Sequence, residues 1–282
     1  MTYNVWTLLQ RSVLLGSLLG AIANGSLFIQ PSEAGETFLS VRSSLVSPIL
    51  NNSSGGSNGD SGSSESEEED PDFSGDGRPG SQTAGDGRGA CQIPVDRPLT
   101  ALIPQSNWGQ TTAARPTFWV YVPYSEQEMP VGEFVLQKSN REDVYRVPFT
   151  LDGTPGLVPV QLPDTAPALQ PGESYRWYFK VYCSEDKTNV PLFVQGWVQR
   201  IAASKALQQE LAAAGARQYQ VFADRGLWYD ALSHLARLQQ QNPHNRRLQQ
   251  AWQRLLGAQG VDLDVPPPAA TLPQVVLGSD RS

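Results

Sequence analysis

Hydrophobic and polar positions alternate most cleanly along Tyr175-Arg176-Trp177-Tyr178-Phe179-Lys180-Val181-Tyr182-Cys183. Tyr175, Trp177, Phe179, Val181 and Cys183 fall on one face; Arg176, Tyr178, Lys180 and Tyr182 fall on the other. A period of two marks a half-buried antiparallel strand. The run before it, Leu169-Gln170-Pro171-Gly172-Glu173-Ser174, predicts a turn that delivers Tyr175 to the strand's start. Weaker versions of the pattern place strands at Leu99 to Ile103, Thr117 to Val122, Phe134 to Leu136, Val144 to Val147, Leu157 to Leu162 and Leu192 to Val198, separated by Pro, Gly, Asn and Asp turns. After Arg200 the period changes. Ser204 or a neighbour caps a predicted helix through Leu207 and Leu211, and Trp228 to Leu238 and Trp252 to Leu256 repeat apolar residues at helical spacing.

About seven short strands over residues 90–200 predict a β-sandwich of the immunoglobulin or fibronectin type III kind. The turn-to-tyrosine run resembles the fibronectin pattern, with Tyr175 placed as in a tyrosine corner. In true immunoglobulin domains the cysteine follows the corner tyrosine by two positions, which Cys183 does not. Pro148 and Pro159 are restricted to edges, bulges or strand ends. Residues 201–260 predict a small helical segment that resembles a tetratricopeptide half-repeat: Gly226 at the turn, Trp228 in the aromatic position, Ala231 in the small contact position, Leu235 packing and Pro243 at the close. Tyr219 departs from that pattern, standing where a small residue is usual. Such units stack in threes or more, so this one is expected to pack on the sandwich or on a partner.

The flanks differ in composition. Residues 12–32 are uncharged, follow Arg11, and include the apolar run Val13 to Ala23, the pattern of a secretory signal with cleavage after Ala34 or Ala23; an uncleaved anchor is the alternative. Residues 1–34 are therefore read as a signal peptide, and no membrane span is expected after its removal. Residues 35–89 are rich in Ser, Gly, Asp and Glu and predict a disordered spacer, because so few apolar side chains cannot offset the entropy of ordering. A calcium site there lacks EF-hand spacing and the full nonapeptide repeat. Residues 261–282, with Pro266-Pro267-Pro268, predict a flexible tail. The chain has two cysteines; in an exported protein Cys91 and Cys183 are expected to pair, with two buried thiols as the alternative.

Charge and chemistry narrow the function. A formal net charge of −7 argues against a nucleic-acid partner. Neither a nucleophile elbow, a phosphate-binding glycine loop nor a zinc-spaced His/Cys cluster is present, so no cofactor or metal is expected and the chain reads as a non-enzyme. His234 and His244 are read as surface or cap residues. Glu133, Glu142, Asp143 and Asp164 are candidates for a glycosidase-like carboxylate pair by existence alone, and turns and solvated faces are the preferred reading of them. Six tryptophans, Trp108, Trp119, Trp177, Trp197, Trp228 and Trp252, contain the material for a sugar-stacking platform. The best candidates for a ligand face are Tyr178 and Tyr182 with Arg176 and Lys180, which point away from Trp177's face; packing of the helical segment over that face is the alternative.

Several blocks together resemble a cyanobacterial family of exported proteins, domain of unknown function 928. They are Cys91 with Leu99 to Pro104, Arg115 to Pro123, Tyr175 to Phe179 leading to Cys183, Val194 to Arg200 and Gly226 to Leu232. The resemblance implies a secreted protein with a sandwich and a helical tail, and it carries over no functional residue. The function expected is a non-enzymatic, periplasmic or extracellular protein-interaction module, with Trp228, Tyr229 and Trp252 as a candidate helical interaction face for an envelope or extracellular protein partner. The alternative is a carbohydrate-binding module that holds a polysaccharide on the Tyr175 to Cys183 strand.

Overall fold

A computed structural model describes residues 70–75, 77–78, 80–84 and 91–277. Strands β1 (Thr100–Ala101), β3 (Thr117–Val122) and β6 (Gly156–Gln161) form a three-stranded sheet in the order β1-β3-β6. Strands β2 (Trp108–Thr111), β4 (Val131–Lys138), β5 (Asp143–Asp152), β7 (Ser174–Tyr182), β8 (Leu192–Arg200) and β9 (Gln274–Leu277) form a six-stranded sheet ordered β2-β8-β7-β4-β5-β9. Every pairing is antiparallel except β2 with β8, which run parallel.

The alternation of β7 decides what lies between the sheets. Trp177, Phe179 and Val181 point inward and are fully buried, meeting Phe118 of β3 and Phe134 of β4. Phe118 lies 5.2 Å from the Trp177 ring and 5.3 Å from Phe134, and Phe149 stacks on Phe179 at 4.8 Å. Each such ring contributes on the order of 2–3 kcal/mol by leaving water. Gly196 of β8 is what lets Trp177 lie across the sheet: a Cβ there would sit 2.8 Å from the indole and 2.5 Å from Ile103. At the entry to β7, the Tyr175 hydroxyl accepts a hydrogen bond from the backbone N–H of Gln170, closing the predicted turn.

Four helices follow: α1 (Lys205–Ala214), α2 (Gln218–Asp224), α3 (Trp228–Gln241) and α4 (Arg246–Leu256). Ser204 caps α1 by accepting from the Leu207 N–H, and Asn245 caps α4 by accepting from Arg247 and Leu248. Helix α3 docks on the interior side of β2 and against β3. Its Trp228 donates to the Leu102 carbonyl at 2.9 Å, its Tyr229 packs edge-on to Phe118 at 5.4 Å, and its Ser233 accepts from the Trp119 indole at 3.1 Å. The helices therefore lie on the Trp177 side of the six-stranded sheet and leave the Tyr178 side uncovered.

Three expectations change. Residues 70–84, assigned to the disordered spacer, include a strap laid on the domain: Phe73 is 8 % exposed and meets Trp228 edge-on at 4.9 Å, and its N–H donates to the Gln259 carbonyl. Further along the strap, Gln82 donates to the carbonyls of Ile103 and Val261. One buried ring and a series of backbone hydrogen bonds offset an ordering cost that average composition made prohibitive; the rest of the expected spacer and the expected signal peptide lie outside the described residues. The tail assigned to 261–282 is likewise docked over its described part, with Val261, Val265 and Leu272 buried and β9 paired to β5. Finally, β2 and β9 had no legible alternation, being four residues each.

Candidate functional site

The side of the six-stranded sheet that the described helices leave open, crossed at its β2 end by the strap, carries a row of rings and cations. Antiparallel pairing of β7 with β8 sets Arg176 opposite Trp197, Tyr178 opposite Gln195 and Lys180 opposite Phe193, and parallel pairing of β2 with β8 sets Trp108 opposite Trp197. Residues opposite one another share a face, so register alone assembles the row. Arg78 of the strap enters from the β2 end, its guanidinium 4.7 Å from the Trp108 ring and 5.3 Å from that of Trp197. Arg176 follows at 5.7 Å from Trp197 and 4.9 Å from Tyr178, and the Lys180 ammonium lies 5.7 Å from the Tyr178 ring. Phe193, 43 % exposed, completes the row 6.2 Å from Tyr178.

The charges in this row divide into paired and unpaired. Lys180 shares the Glu133 carboxylate with Arg146, and Arg146 also bonds Asp143. Burial works to raise the Glu133 pKa, but the hydrogen bonds and charges of Arg146 and Lys180 outweigh it and hold the carboxyl below its ordinary value. Arg78 and Arg176 have no carboxylate partner among the described residues. Arg176 donates to the Gln195 side chain, while its Nε and the neighbouring Trp197 Nε1 are closed off without a hydrogen-bond partner.

Of the residues expected to form a ligand face, Arg176, Tyr178 and Lys180 come together, each half-buried in the row. Tyr182 does not join them as a stacking surface. It is 8 % exposed, with the Lys187 ammonium 5.5 Å over its ring, and burial, helped by the Glu133 charge, pushes its hydroxyl's pKa up. The candidate helical interaction face is turned inward: Trp228, Tyr229 and Trp252 are at most 1 % exposed. Each has a polar tip that needs a buried acceptor or partner, and each finds one, at Leu102, at Trp177 and Trp197, and at Val265. Their amphipathic spacing marks helix packing on the sheets rather than an outer face. Cys91 and Cys183 are joined in a disulfide with their Cα atoms 6.1 Å apart, fastening the segment before β1 to the end of β7.

The carboxylates singled out for acid–base work are occupied or dispersed. Glu142 is bonded by Lys138 and Asn140 and Asp143 by Gln137 and Arg146, contacts that lower both pKa values, the opposite of what a general acid needs. Asp164 is exposed beside Arg115. His234 is half-buried on Phe222 at 4.9 Å, and burial lowers its pKa; His244 is exposed between α3 and α4. One more carboxylate is buried. Asp230 of α3, 8 % exposed, accepts from the Thr112 N–H at 2.8 Å and its hydroxyl at 3.0 Å, and burial nevertheless raises its pKa.

Arg78 and Phe193 escaped the sequence reading. Phe193 was recoverable, because it shares the parity of Gln195 and Trp197 and opposes that of the buried Val194 and Val198. Arg78 was not, since it lies in a Gly-rich tract and reaches the sheet only through the Phe73 anchor. A second concavity lies at the helices: Tyr219, Ala223, Arg254 and Leu255 line a cleft of about 610 Å³ whose rim is Asp70, Pro71 and Asp72.

The family model described as Domain of Unknown Function (DUF928) matches residues 83–266, more than half of the chain. No curated protein matches the chain, and neither does any solved structure.

Proposed function

The chain belongs to the family Domain of Unknown Function (DUF928), and since that description assigns no activity, we propose from the geometry that it is a non-enzymatic binding module whose site is the outer face of the six-stranded sheet. The observation that carries this reading is the row Trp108, Arg78, Trp197, Arg176, Tyr178, Lys180, which no helix among the described residues covers. Aromatic rings left half-exposed beside hydrogen-bonding cations stack well on sugar rings, whose C–H faces are apolar and whose rims are polar. The ligand class is therefore a polysaccharide. The site stands on a rigid sheet, which keeps the ring spacing fixed.

The same reading makes the chain an exported protein of the periplasm or cell exterior. The disulfide supports it, because such bonds persist in oxidising compartments, as does the signal-like run before residue 34. Cyanobacterial origin and the fibronectin and tetratricopeptide likenesses enter only as expectations from the sequence blocks. Screening the purified protein on a glycan array, with Tyr178→Ala and Trp197→Ala variants in parallel, tests the proposal: saturable binding that both variants lose supports it, and an array with no saturable binding sinks it.

A protein-interaction module is the second reading, favoured by the cleft between α2 and α4, whose Ala223, Ala251 and Leu255 offer apolar contacts to a peptide. A photo-crosslinking residue at position 219 would report it by yielding a discrete adduct that the same residue at position 178 does not.

A further inference from the structure

We infer that the polysaccharide held on this face is anionic, with carboxylates borne on the sugar rings; the inference rests on the binding-module reading. Its ground is the charge balance of the row. The chain as a whole carries a formal charge of −7, yet its outer sheet face gathers Arg78, Arg176, Lys180 and Arg146 against Asp72, which lines the cleft beside Arg78 but bonds Ser74, and the two sheet carboxylates Glu133 and Asp143. Both sheet carboxylates are taken by Arg146 and Lys180. That leaves Arg78 and Arg176 as guanidiniums with no acidic partner among the described residues.

Those two cations alternate with rings, and the alternation matters. Arg78 lies between Trp108 and Trp197, and Arg176 between Trp197 and Tyr178, each 4.7 to 5.7 Å from the ring centroids on either side. A guanidinium held against rings keeps for a ligand the N–H groups that no protein atom takes: in Arg176 one Nη donates to Gln195 and Nε is closed off, leaving the other Nη, whereas the Arg78 guanidinium makes no hydrogen bond among the described residues. A neutral glycan would use the rings alone. A uronate chain uses both elements in turn, sugar faces on the indoles and phenol, and carboxylates on the guanidinium edges.

The test compares polygalacturonate oligomers with the same oligomers fully methyl-esterified, by calorimetric titration of the intact protein at low and high salt. Polygalacturonate is expected to bind at least about tenfold more tightly than its ester, the difference that charge-assisted hydrogen bonds supply, and to lose that margin as salt is raised. Arg78→Gln and Arg176→Gln are each expected to weaken the acid by about tenfold more than they weaken the ester, with unchanged circular dichroism. Equal binding of acid and ester, independent of salt, would overturn the anionic assignment and leave the polysaccharide site standing. If the protein binds neither oligomer and nothing on a neutral glycan array, the site itself has been misread. Poly-glutamate binding as tightly as polygalacturonate, and persisting in Trp197→Ala, would overturn the inference in favour of an acidic polypeptide.

Discussion

The indole N–H of Trp177 donates to the hydroxyl of Tyr229 across 2.8 Å, and that hydroxyl donates in turn to the backbone carbonyl of Trp197 at 2.9 Å. A sheet interior, a helix and the strand beneath the proposed site are thus joined at one oxygen. In Tyr229→Phe the ring is kept while the Trp177 N–H and the Trp197 carbonyl lose their partner. The expected cost is about 1–3 kcal/mol, the penalty for stranding buried polar groups. Urea unfolding should register it as a lower midpoint with the same slope, and an unshifted midpoint would contradict the assignment.

Breaking the disulfide should destabilise more. Its cysteines are 92 residues apart, and closing a loop of that size restricts the unfolded chain by roughly 4 kcal/mol in the chain-entropy model. The double variant Cys91→Ser/Cys183→Ser, and the natural protein under reductant, should therefore melt at similar, lowered temperatures. A reductant-insensitive melting curve for the natural protein would show that the bond carries no stability.

Two carboxylates predict opposite pH slopes. Glu133 has a folded pKa below its ordinary value of 4.5, so its contribution is complete above that value and is lost as pH falls through the folded pKa. Asp230 has a folded pKa raised above 3.8, so between the two values the native state holds the extra proton and stability falls as pH rises through the folded pKa. Glu133→Gln should flatten the acid-side loss, and Asp230→Asn should flatten the decline on raising pH. Chemical denaturation of each variant from pH 3 to 7 reads both, and identical profiles for variants and natural protein would refute the pairings described.

Strap removal tests the correction to the spacer. A protein cut to the family match at 83–266 lacks Phe73, Arg78 and β9, and it should be several kcal/mol less stable than one spanning residues 70–277, since a buried ring and an edge strand are both lost. Gly260→Ala should damage the same contact from the other side, because a Cβ there would meet the Ser74 nitrogen at 2.4 Å and the glycine's φ is +77°. Protease resistance of residues 70–84 in the natural protein, lost in Gly260→Ala, is the expected result; equal resistance would place the strap elsewhere.

What the chain reveals in advance follows the range of the interactions. The alternation in β7 is local, so the inward Trp177 and Phe179 and the outward Arg176, Tyr178 and Lys180 were all legible, as was the cap Ser204. The sheet order was not, because β2 lies beside β8 and β9 beside β5 only through distant partners. For the same reason the helical rings were misread: Trp228 and Trp252 sit at amphipathic positions whether the helix faces a partner or its own sheet. Phe73 was hidden by averaging, a single apolar residue in an acidic, Gly-rich tract whose anchoring role depends on Trp228.

The strap and the parallel β2–β8 pair also dictate when the body can assemble. Gln110 bonds Gln199 from 89 residues away, and Gln82 reaches the Val261 carbonyl from 179. A ribosome releases the amino-terminal members of these pairs first, and they lack these partners until residues 199 and 261 emerge. Such long-range closure is slow, and unpaired strands that wait are open to other chains. Closure of the strap and of the β2 edge thus comes late relative to the β4–β5 hairpin, whose partners adjoin in sequence, and the segments that wait need shelter in the interval.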